Sequence, residues 1–184
     1  VQKPMAGVYS IDPAVFEDDD GEFYLYMGGL WGGQLQRWCN GSYNADDLTN
    51  PMAHLPKDNE LALTPKVAKM SGDLLEFSEE PKDVIILDKQ GNPLLAGDNE
   101  KRFFEAAWLH KYNGKYYFSY STGDTHFICY AIGTSPYGPF TYQGRILEPV
   151  VGWTSHHSIC KVDKKWYLFY HDSSLSNGVT HLRS

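Results

Sequence analysis

The stretch Phe103–Tyr120, FFEAAWLHKYNGKYYFSY, decides how the rest of the chain is interpreted. Two aromatic-rich runs flank Asn113-Gly114, and Asn-Gly between such runs is the strongest short-range signal for a β-hairpin. The hairpin places Glu105 near the start of its first strand, beside aromatic residues such as Trp108. Burial disfavours the charged form of a carboxyl group, and a general acid must hold its proton near neutral pH. Glu105 is therefore a candidate acid, and a strand-end Glu paired with a Lys or Arg is the alternative.

The pattern of this hairpin recurs. The stretch Asp12–Met27 superposes on Glu105–Tyr120 without a gap, and in each a carboxylate is followed nine positions later by a glycine and then by an aromatic-rich strand. A third copy, Ser155–Tyr170, keeps the hairpin and carries histidines near its start. Repeated hairpins without a convincing amphipathic helix predict an all-β fold with radial repetition, a β-propeller.

The opening polar groups of the three repeats are expected to meet. In a propeller the innermost strands converge on the axis, so Asp12, Glu105 and His156 are predicted to share one central cavity. His156 and His157 are adjacent on a strand and point to opposite faces, so they cannot chelate one ion together. For either histidine alone, a structural role and a ligand role stay open.

Composition narrows the classes of function. The 184 residues carry 16 Lys and Arg against 23 Asp and Glu, a net charge of −7, which argues against nucleic acid and anionic membrane as partners. No apolar run is long enough to cross a bilayer. The three cysteines have no metal-ligand spacing and are interpreted as buried thiols, which leaves the compartment undecided. Tyr and Trp are abundant, as in many sites that bind sugars, although this enrichment decides nothing by itself.

Two loops beside the hairpins carry further candidates. The segment Gly28–Gly33, GGLWGG, lacks the features of a phosphate-binding loop, so Trp31 is interpreted as a stacking wall for a ligand. A surface loop with Trp31 packed into the core is the alternative. The next residues, Gln34–Cys39, are predicted to form a strand. The acidic run Asp18–Asp20 is predicted to be a solvated turn rather than a cation site, since it lacks EF-hand spacing.

Four motifs together resemble glycoside hydrolase family 43, and the match covers essentially the whole chain. They are SIDPAVFEDDDGEFYLY, FFEAAWLHKYNGKYYFSY, TSPYGPF and GWTSHHSICKVDKKWYLFYHDS. The family comprises β-xylosidases, α-L-arabinofuranosidases and arabinanases on a five-bladed β-propeller. The resemblance implies inverting hydrolysis with three carboxylates. The resemblance also implies that no cofactor is required. Many members of the family have a calcium ion or a water molecule on the propeller axis.

The resemblance carries roles onto individual residues. Glu105 matches the general acid, and Asp12 matches the carboxylate that orients the acid and modulates its pKa. His156 matches a central histidine beside the axial calcium or water. Further substrate contacts are expected from Trp31, Phe104, His126 and Arg183.

One catalytic group of the family has no match here, because its general base is an Asp on a first blade that precedes all the motifs above. Residues 1–184 are therefore expected to form about three to four blades of one catalytic propeller domain, without the first blade and the ring-closing strand. Expressed alone, this segment is expected to fold poorly and to be inactive. Asp12 as the base itself is the alternative.

The expected function is inverting release of xylose or L-arabinose from xylan, arabinoxylan, arabinan or their oligosaccharides. A non-catalytic carbohydrate-binding propeller or an inactive remnant is the alternative, and a fructan-acting relative is disfavoured because no Asn-Asp-Pro nucleophile is present. A secreted or periplasmic location is favoured over the cytoplasm.

Overall fold

The structure is a computed structural model that describes residues 11–31, 35–38, 43–45, 49–50, 52–152 and 155–176. Within these ranges strands dominate, and helical turns are limited to short 3₁₀ segments. These segments span Leu35–Trp38, Gly123–Thr125 and Ser174–Ser176. The first of them occupies the place of the strand predicted over Gln34–Cys39, which was wrong for residues 35–38. Among the described residues, no helix has both the length and the apolar character that crossing a membrane requires.

The first sheet is an antiparallel meander in the order β1-β2-β3-β4. Its strands are β1 (Ala14–Glu17), β2 (Phe23–Met27), β3 (Lys66–Lys69) and β4 (Lys82–Asp83). The hairpin predicted from the acidic turn is the β1–β2 pair. A long connection between β2 and β3 leaves the sheet at the end where β1 begins.

The second sheet has the order β5-β9-β8-β7-β6, with β5 parallel to β9 and the other pairs antiparallel. Its strands are β5 (Ile86–Leu87), β6 (Glu105–Tyr112), β7 (Lys115–Ser121), β8 (Ile128–Gly133) and β9 (Phe140–Leu147). The β6–β7 hairpin turns through Asn113 and Gly114, with φ of 49° and 72°, which is the primed turn that Asn-Gly favours.

The third predicted hairpin forms a two-stranded sheet of β10 (His157–Val162) and β11 (Lys165–Tyr170). Strand β6 contacts both β1 and β10, so the opening strands of the three repeats lie side by side. The three-hairpin prediction is confirmed, and the described residues form one sheet of four strands, one of five and one of two.

The core lies between the first two sheets and is mainly aromatic. Tyr26 of β2 has its ring centroid 5.8 Å from that of Phe118, which in turn lies 5.2 Å from Phe140. All three side chains are fully buried. Cys129 is a buried free thiol and Cys160 a half-buried one, while Cys39 lies outside the described residues. Burial raises the pKa of the Cys129 thiol to about 11, as expected for a thiol that serves packing.

A buried carboxylate joins the two sheets. Asp18 in the β1–β2 turn accepts hydrogen bonds from Lys111 Nζ and Tyr116 Oη, both at 2.5 Å. The prediction of a solvated turn was therefore wrong for Asp18, although Asp19 and Asp20 are exposed. Burial acts to raise the pKa of Asp18, but the hydrogen bonds from Lys111, Tyr116 and the Asp19 backbone outweigh it and hold the pKa below its usual 3.8.

Asp18→Asn is expected to destabilise the protein at pH 7 by about 1–3 kcal/mol, because a charged acceptor between the sheets is lost. A carboxylate whose pKa is lowered by folding stabilises above its unfolded pKa and loses that effect as pH falls through the folded pKa. The gap between wild type and variant should therefore narrow below about pH 4. Urea unfolding at pH 7, 5 and 3 measures this difference in the free energy of unfolding. Asp20→Asn, in the same turn but exposed, is the control, and an equal loss there would contradict the assignment.

Candidate active site

The opening residues of the three repeats meet in one cluster. Glu105 is the first residue of β6, and Asp12 and His156 precede β1 and β10 directly or nearly so. The Nε2 atom of His156 lies 3.4 Å from Glu105 Oε1 and 3.6 Å from Asp12 Oδ2. The structure thus brings together the three side chains that the repeat predicted to converge, on strands about ninety and fifty residues apart in the chain.

A β-bulge at the start of β6 orients the two carboxylates. Glu105 pairs with Ser121, but Trp108 pairs with Ser119, so two residues of β6 oppose one of β7. The bulge places Ala106 at φ 58°, and its N–H donates a 3.2 Å hydrogen bond to Asp12 Oδ2. A non-glycine residue with this backbone is uncommon and marks a position that the surrounding structure enforces.

The electrostatics of the cluster favour a bound proton. Burial raises the pKa of Asp12, and the Glu105 carboxylate adds to this, while His156 and the Ala106 N–H act in the opposite direction. The hydrogen bond to Glu105 raises the pKa of His156, and the charge of Asp12 adds to it against the effect of burial. Asp12 and His156 therefore each hold a proton more tightly than the isolated groups would.

The contacts of the neighbouring residue His157 hold His156 in place. His157 points the other way, as the alternation along a strand predicts, and its Nε2 lies 2.6 Å from Ser119 Oγ of β7. Burial lowers the pKa of His157 to about 3, so this imidazole is neutral. Trp108 Nε1 also donates to the Ile159 carbonyl at 3.1 Å. These contacts join β10 to the second sheet and fix the position of His156. The sequence showed two adjacent histidines, but it did not show which of them has the structural role.

The residue before the candidate acid packs tightly. Phe104 is 1% exposed, and its backbone is fixed by hydrogen bonds with Leu30 N–H at 3.0 Å and the Ser121 carbonyl at 2.9 Å. Its ring lies against Gly123, where an added Cβ would come within 2.2 Å of Phe104 Cγ. The ring therefore contacts Gly123 here, and the predicted substrate contact of Phe104 stays a prediction.

Gly123→Ala is expected to destabilise more than Gly114→Ala. Both glycines have left-handed backbones, with φ of 69° and 72°, so both substitutions carry a backbone cost of about 1–2 kcal/mol. At Gly114 no atom lies within 4 Å of the added Cβ, whereas at Gly123 it meets the Phe104 ring. Overpacking should add about 1–3 kcal/mol at Gly123 alone. Urea unfolding measures the difference, and equal losses would contradict this packing.

The other residues predicted to contact the substrate lie in different surroundings. Trp31 has φ 44°, is half-buried and packs on the core, while it also lines a pocket of about 270 Å³ with Phe104. His126 has φ 60° and caps the Gly123–Thr125 turn, and it is not part of that pocket's wall. Arg183 lies outside the described residues.

The donor atoms of the cluster determine which metal ion it could hold. Asp12, Glu105 and His156 can each direct one donor atom to a point, with the three atoms within 4.8 Å of one another. Calcium takes six to eight oxygen ligands. Two carboxylates and one imidazole nitrogen do not satisfy that requirement, so these residues alone do not fit a calcium ion.

The fold and cluster define the class: a β-propeller whose inner strand ends converge on two carboxylates and a histidine. A family model described as "Glycosyl hydrolases family 43" matches residues 1–183. The chain belongs to glycosyl hydrolase family 43. The solved structures of this family that it resembles are five-bladed β-propellers, and the chain covers about half of each.

Curated relatives are similar to this protein over nearly the whole chain. A "Xylosidase/arabinosidase" of Bacteroides ovatus is 61% identical over 98% of the chain and 54% of that protein. A "Xylosidase/arabinosidase 43A" of Humicola insolens is 58% identical over 99% of the chain and 56% of that protein. The chain thus spans about half the length of the curated relatives it matches.

Two solved structures are similar in fold at high identity. A β-xylosidase/α-arabinofuranosidase from a compost microbial metagenome, in complex with xylotriose and in a calcium-free form, is 59% identical with a TM-score of 0.89. The match covers 99% of this chain and 55% of that chain. An enzyme of Xanthomonas citri complexed with xylose is 56% identical, with a TM-score of 0.89 over 99% of this chain and 54% of that one.

Proposed function

We propose that this chain forms part of the catalytic propeller of a glycoside hydrolase that releases xylose or L-arabinose from hemicellulose. The observation that carries the proposal is the contact of Glu105, Asp12 and His156 at the converging strand ends. The names of the relatives and the xylotriose and xylose complexes of similar structures support the substrate class.

In the proposed mechanism Glu105 donates a proton to the leaving glycosidic oxygen. It is 6% exposed and hydrogen-bonded to His156, so its proton is delivered within a site that excludes most water. Asp12, fixed by the Ala106 N–H, supplies negative charge that retains protons in the cluster. His156 orients Glu105 through the 3.4 Å contact.

The general base is proposed to lie on a blade outside these residues. In an inverting glycosidase the acid and base carboxyls stand about 6.5–9.5 Å apart, to leave room for water. The oxygens of Asp12 and Glu105 come within 4.8 Å of each other, which is too close for that role. This distance suits the modulator role better than the alternative in which Asp12 is the base.

In a retaining glycosidase the two catalytic carboxyl groups are about 5–5.5 Å apart. The separation of Asp12 and Glu105 therefore does not by itself exclude retention, and the stereochemistry of hydrolysis needs its own test. The motifs that resemble family 43 assign Asp12 the role of modulating the acid rather than that of a nucleophile. We therefore expect inversion: NMR of the first product formed by the complete protein should show the anomer opposite to that of the substrate. A product of retained configuration would make Asp12 the nucleophile.

The hydrolase proposal is tested with the complete protein on aryl β-xyloside, aryl α-L-arabinofuranoside, xylotriose and arabinotriose. We expect turnover of at least one pentoside. Binding of xylotriose without hydrolysis of any of these substrates would favour the alternative, a non-catalytic carbohydrate-binding propeller. A calcium ion on the propeller axis fits this proposal only if oxygen atoms other than those of Asp12 and Glu105 complete its coordination shell. Thermal unfolding of the complete protein before and after chelation tests for such an ion.

A further inference from the structure

The glycine-rich loop after β2 links the two segments that carry the carboxylates of the cluster. The N–H of Gly28 donates a hydrogen bond to the Ile11 carbonyl at 3.1 Å, and the N–H of Leu30 donates one to the Phe104 carbonyl at 3.0 Å. Each of these two acceptor residues directly precedes a carboxylate of the cluster in the chain. One short stretch of loop backbone therefore bridges both carboxylate-bearing segments.

Gly29 lies between these two hydrogen bonds, is buried and has no room for a side chain. An added Cβ would stand 2.7 Å from Ile11 Cδ1, 2.8 Å from Ile11 Cγ1 and 3.4 Å from Glu105 Cβ. Carbon atoms in contact stand about 3.5–4.0 Å apart, so the contact with Ile11 would have to open by about 1 Å. The Gly29 carbonyl also accepts a hydrogen bond from the Leu35 N–H at 3.0 Å. Because the loop is anchored in this way, we expect Ile11 to move.

Asp12 has little freedom to absorb a shift of Ile11. Its backbone is left-handed, with φ 55°, which a non-glycine residue seldom adopts. Its Oδ2 accepts the 3.2 Å hydrogen bond from the Ala106 N–H and lies 3.6 Å from His156 Nε2. Lengthening that hydrogen bond by about 1 Å would break it. Misplacement of a catalytic group by about 1 Å can lower a rate by about 10²-fold.

We propose that Gly29 is a positioning residue, whose lack of a side chain lets the loop pass between Ile11 and Glu105 and so sets the separation of the Asp12 and Glu105 carboxylates. The inference rests on the proposed function, in which Glu105 is the acid and Asp12 modulates it. It explains a glycine of the loop by the placement of two carboxylates and requires no contact between this residue and a ligand.

Steady-state kinetics of the complete protein with Gly29→Ala test the inference. The kcat for xylotriose or arabinotriose, whichever the protein cleaves, should fall by about 10–100-fold with KM nearly unchanged, because the carboxylates are displaced and no ligand contact is removed. An aryl glycoside with a very acidic leaving group should lose less, since it needs little proton donation. Gly72→Ala adds the same methyl group at an exposed turn with no atom within 4 Å, and it is the matched control.

Shortening Ile11 provides a rescue of the same variant. Ile11→Ala removes both atoms that the added methyl group would meet, so Gly29→Ala should cost much less turnover in that background than in wild type. Ile11→Val removes only Cδ1, so the cost there should be intermediate. If Gly29→Ala alone does not fold, the comparison of these two backgrounds replaces it. Kinetics are measured well below the lowest thermal transition of the set, which excludes a contribution from unfolding.

The kinetic outcomes separate a positioning role from a packing role. A fall in kcat that Ile11→Ala relieves, with Gly72→Ala equal to wild type, supports the inference. Unchanged kcat with a lower thermal midpoint would make Gly29 a packing residue only and would overturn it. A loss of kcat that is equally large in the Ile11→Ala background would overturn it as well.

A structural measurement keeps the inference separate from the hydrolase proposal. If the complete protein hydrolyses no pentoside, the proposed function fails, and crystal structures of wild type and Gly29→Ala decide the placement. The distance from the Ala106 nitrogen to Asp12 Oδ2, 3.2 Å here, should lengthen in the variant beyond hydrogen-bonding range. An unchanged distance would show that the loop does not set the position of Asp12.

Discussion

Glu105→Gln in the complete protein is expected to lower turnover of xylo- or arabino-oligosaccharides by about 10²–10⁴-fold, the usual contribution of general acid catalysis. Glutamine keeps the shape of the side chain but has no proton to give to the leaving oxygen. Glu105 is buried at a strand start and contacts His156 at 3.4 Å. An amide can still meet His156, so the fold should survive.

The leaving group separates acid catalysis from a structural role. Aryl glycosides with very acidic leaving groups need little protonation, so Glu105→Gln should lose much less turnover on them than on xylotriose. Glu17→Gln makes the same chemical change at an exposed position and should match wild type. Equal losses on both kinds of substrate, or near-normal turnover of oligosaccharides, would remove Glu105 from the acid role.

Asp12→Asn is expected to move the basic limb of the pH–rate profile downward by about one pH unit, the low end of the effect of a neighbouring charge. The charge of Asp12 helps to raise the pKa of His156, so without that charge His156, which orients Glu105, is expected to release its proton at a lower pH. At a fixed pH on that limb, one unit corresponds to about a tenfold loss of turnover. An unchanged limb would make Asp12 a structural residue or the base.

Asp12→Asn should also raise the thermal stability of the protein in the alkaline pH range in which it lowers turnover. Burial raises the pKa of Asp12 above 3.8, so the folded state retains a proton that the unfolded state releases. Stability therefore falls as pH rises through that interval, and an ionised Asp12 destabilises the fold at higher pH. Asparagine cannot ionise and still offers an oxygen to the Ala106 N–H. Thermal unfolding at alkaline pH should show a higher midpoint for Asp12→Asn, and a lower midpoint would mean that the carboxylate stabilises the fold.

Local sequence signals were sufficient for the hairpins. Asn113-Gly114 specifies a primed turn because both residues tolerate positive φ, and the alternating bulk that follows specifies a strand with a buried face. The alignment of the repeats then predicted that Asp12, Glu105 and His156 would converge. Prediction failed at Leu35–Trp38, where the four residues Leu-Gln-Arg-Trp form a 3₁₀ turn rather than a strand. Periodicity cannot separate these outcomes over four residues.

The all-β class, the three hairpins and the three residues of the cluster could be predicted from the sequence alone, because each rests on turn chemistry and on spacing within one repeat. The orientation and pairing of these groups depend on how the sheets pack in three dimensions. The Ala106 bulge aims an N–H at Asp12, and Lys111 and Tyr116 convert an apparently solvated Asp18 into a buried link between sheets. These contacts join residues more than ninety positions apart, and the burial and hydrogen bonds that set the pKa shifts of Asp12 and Asp18 exist only once the sheets have packed.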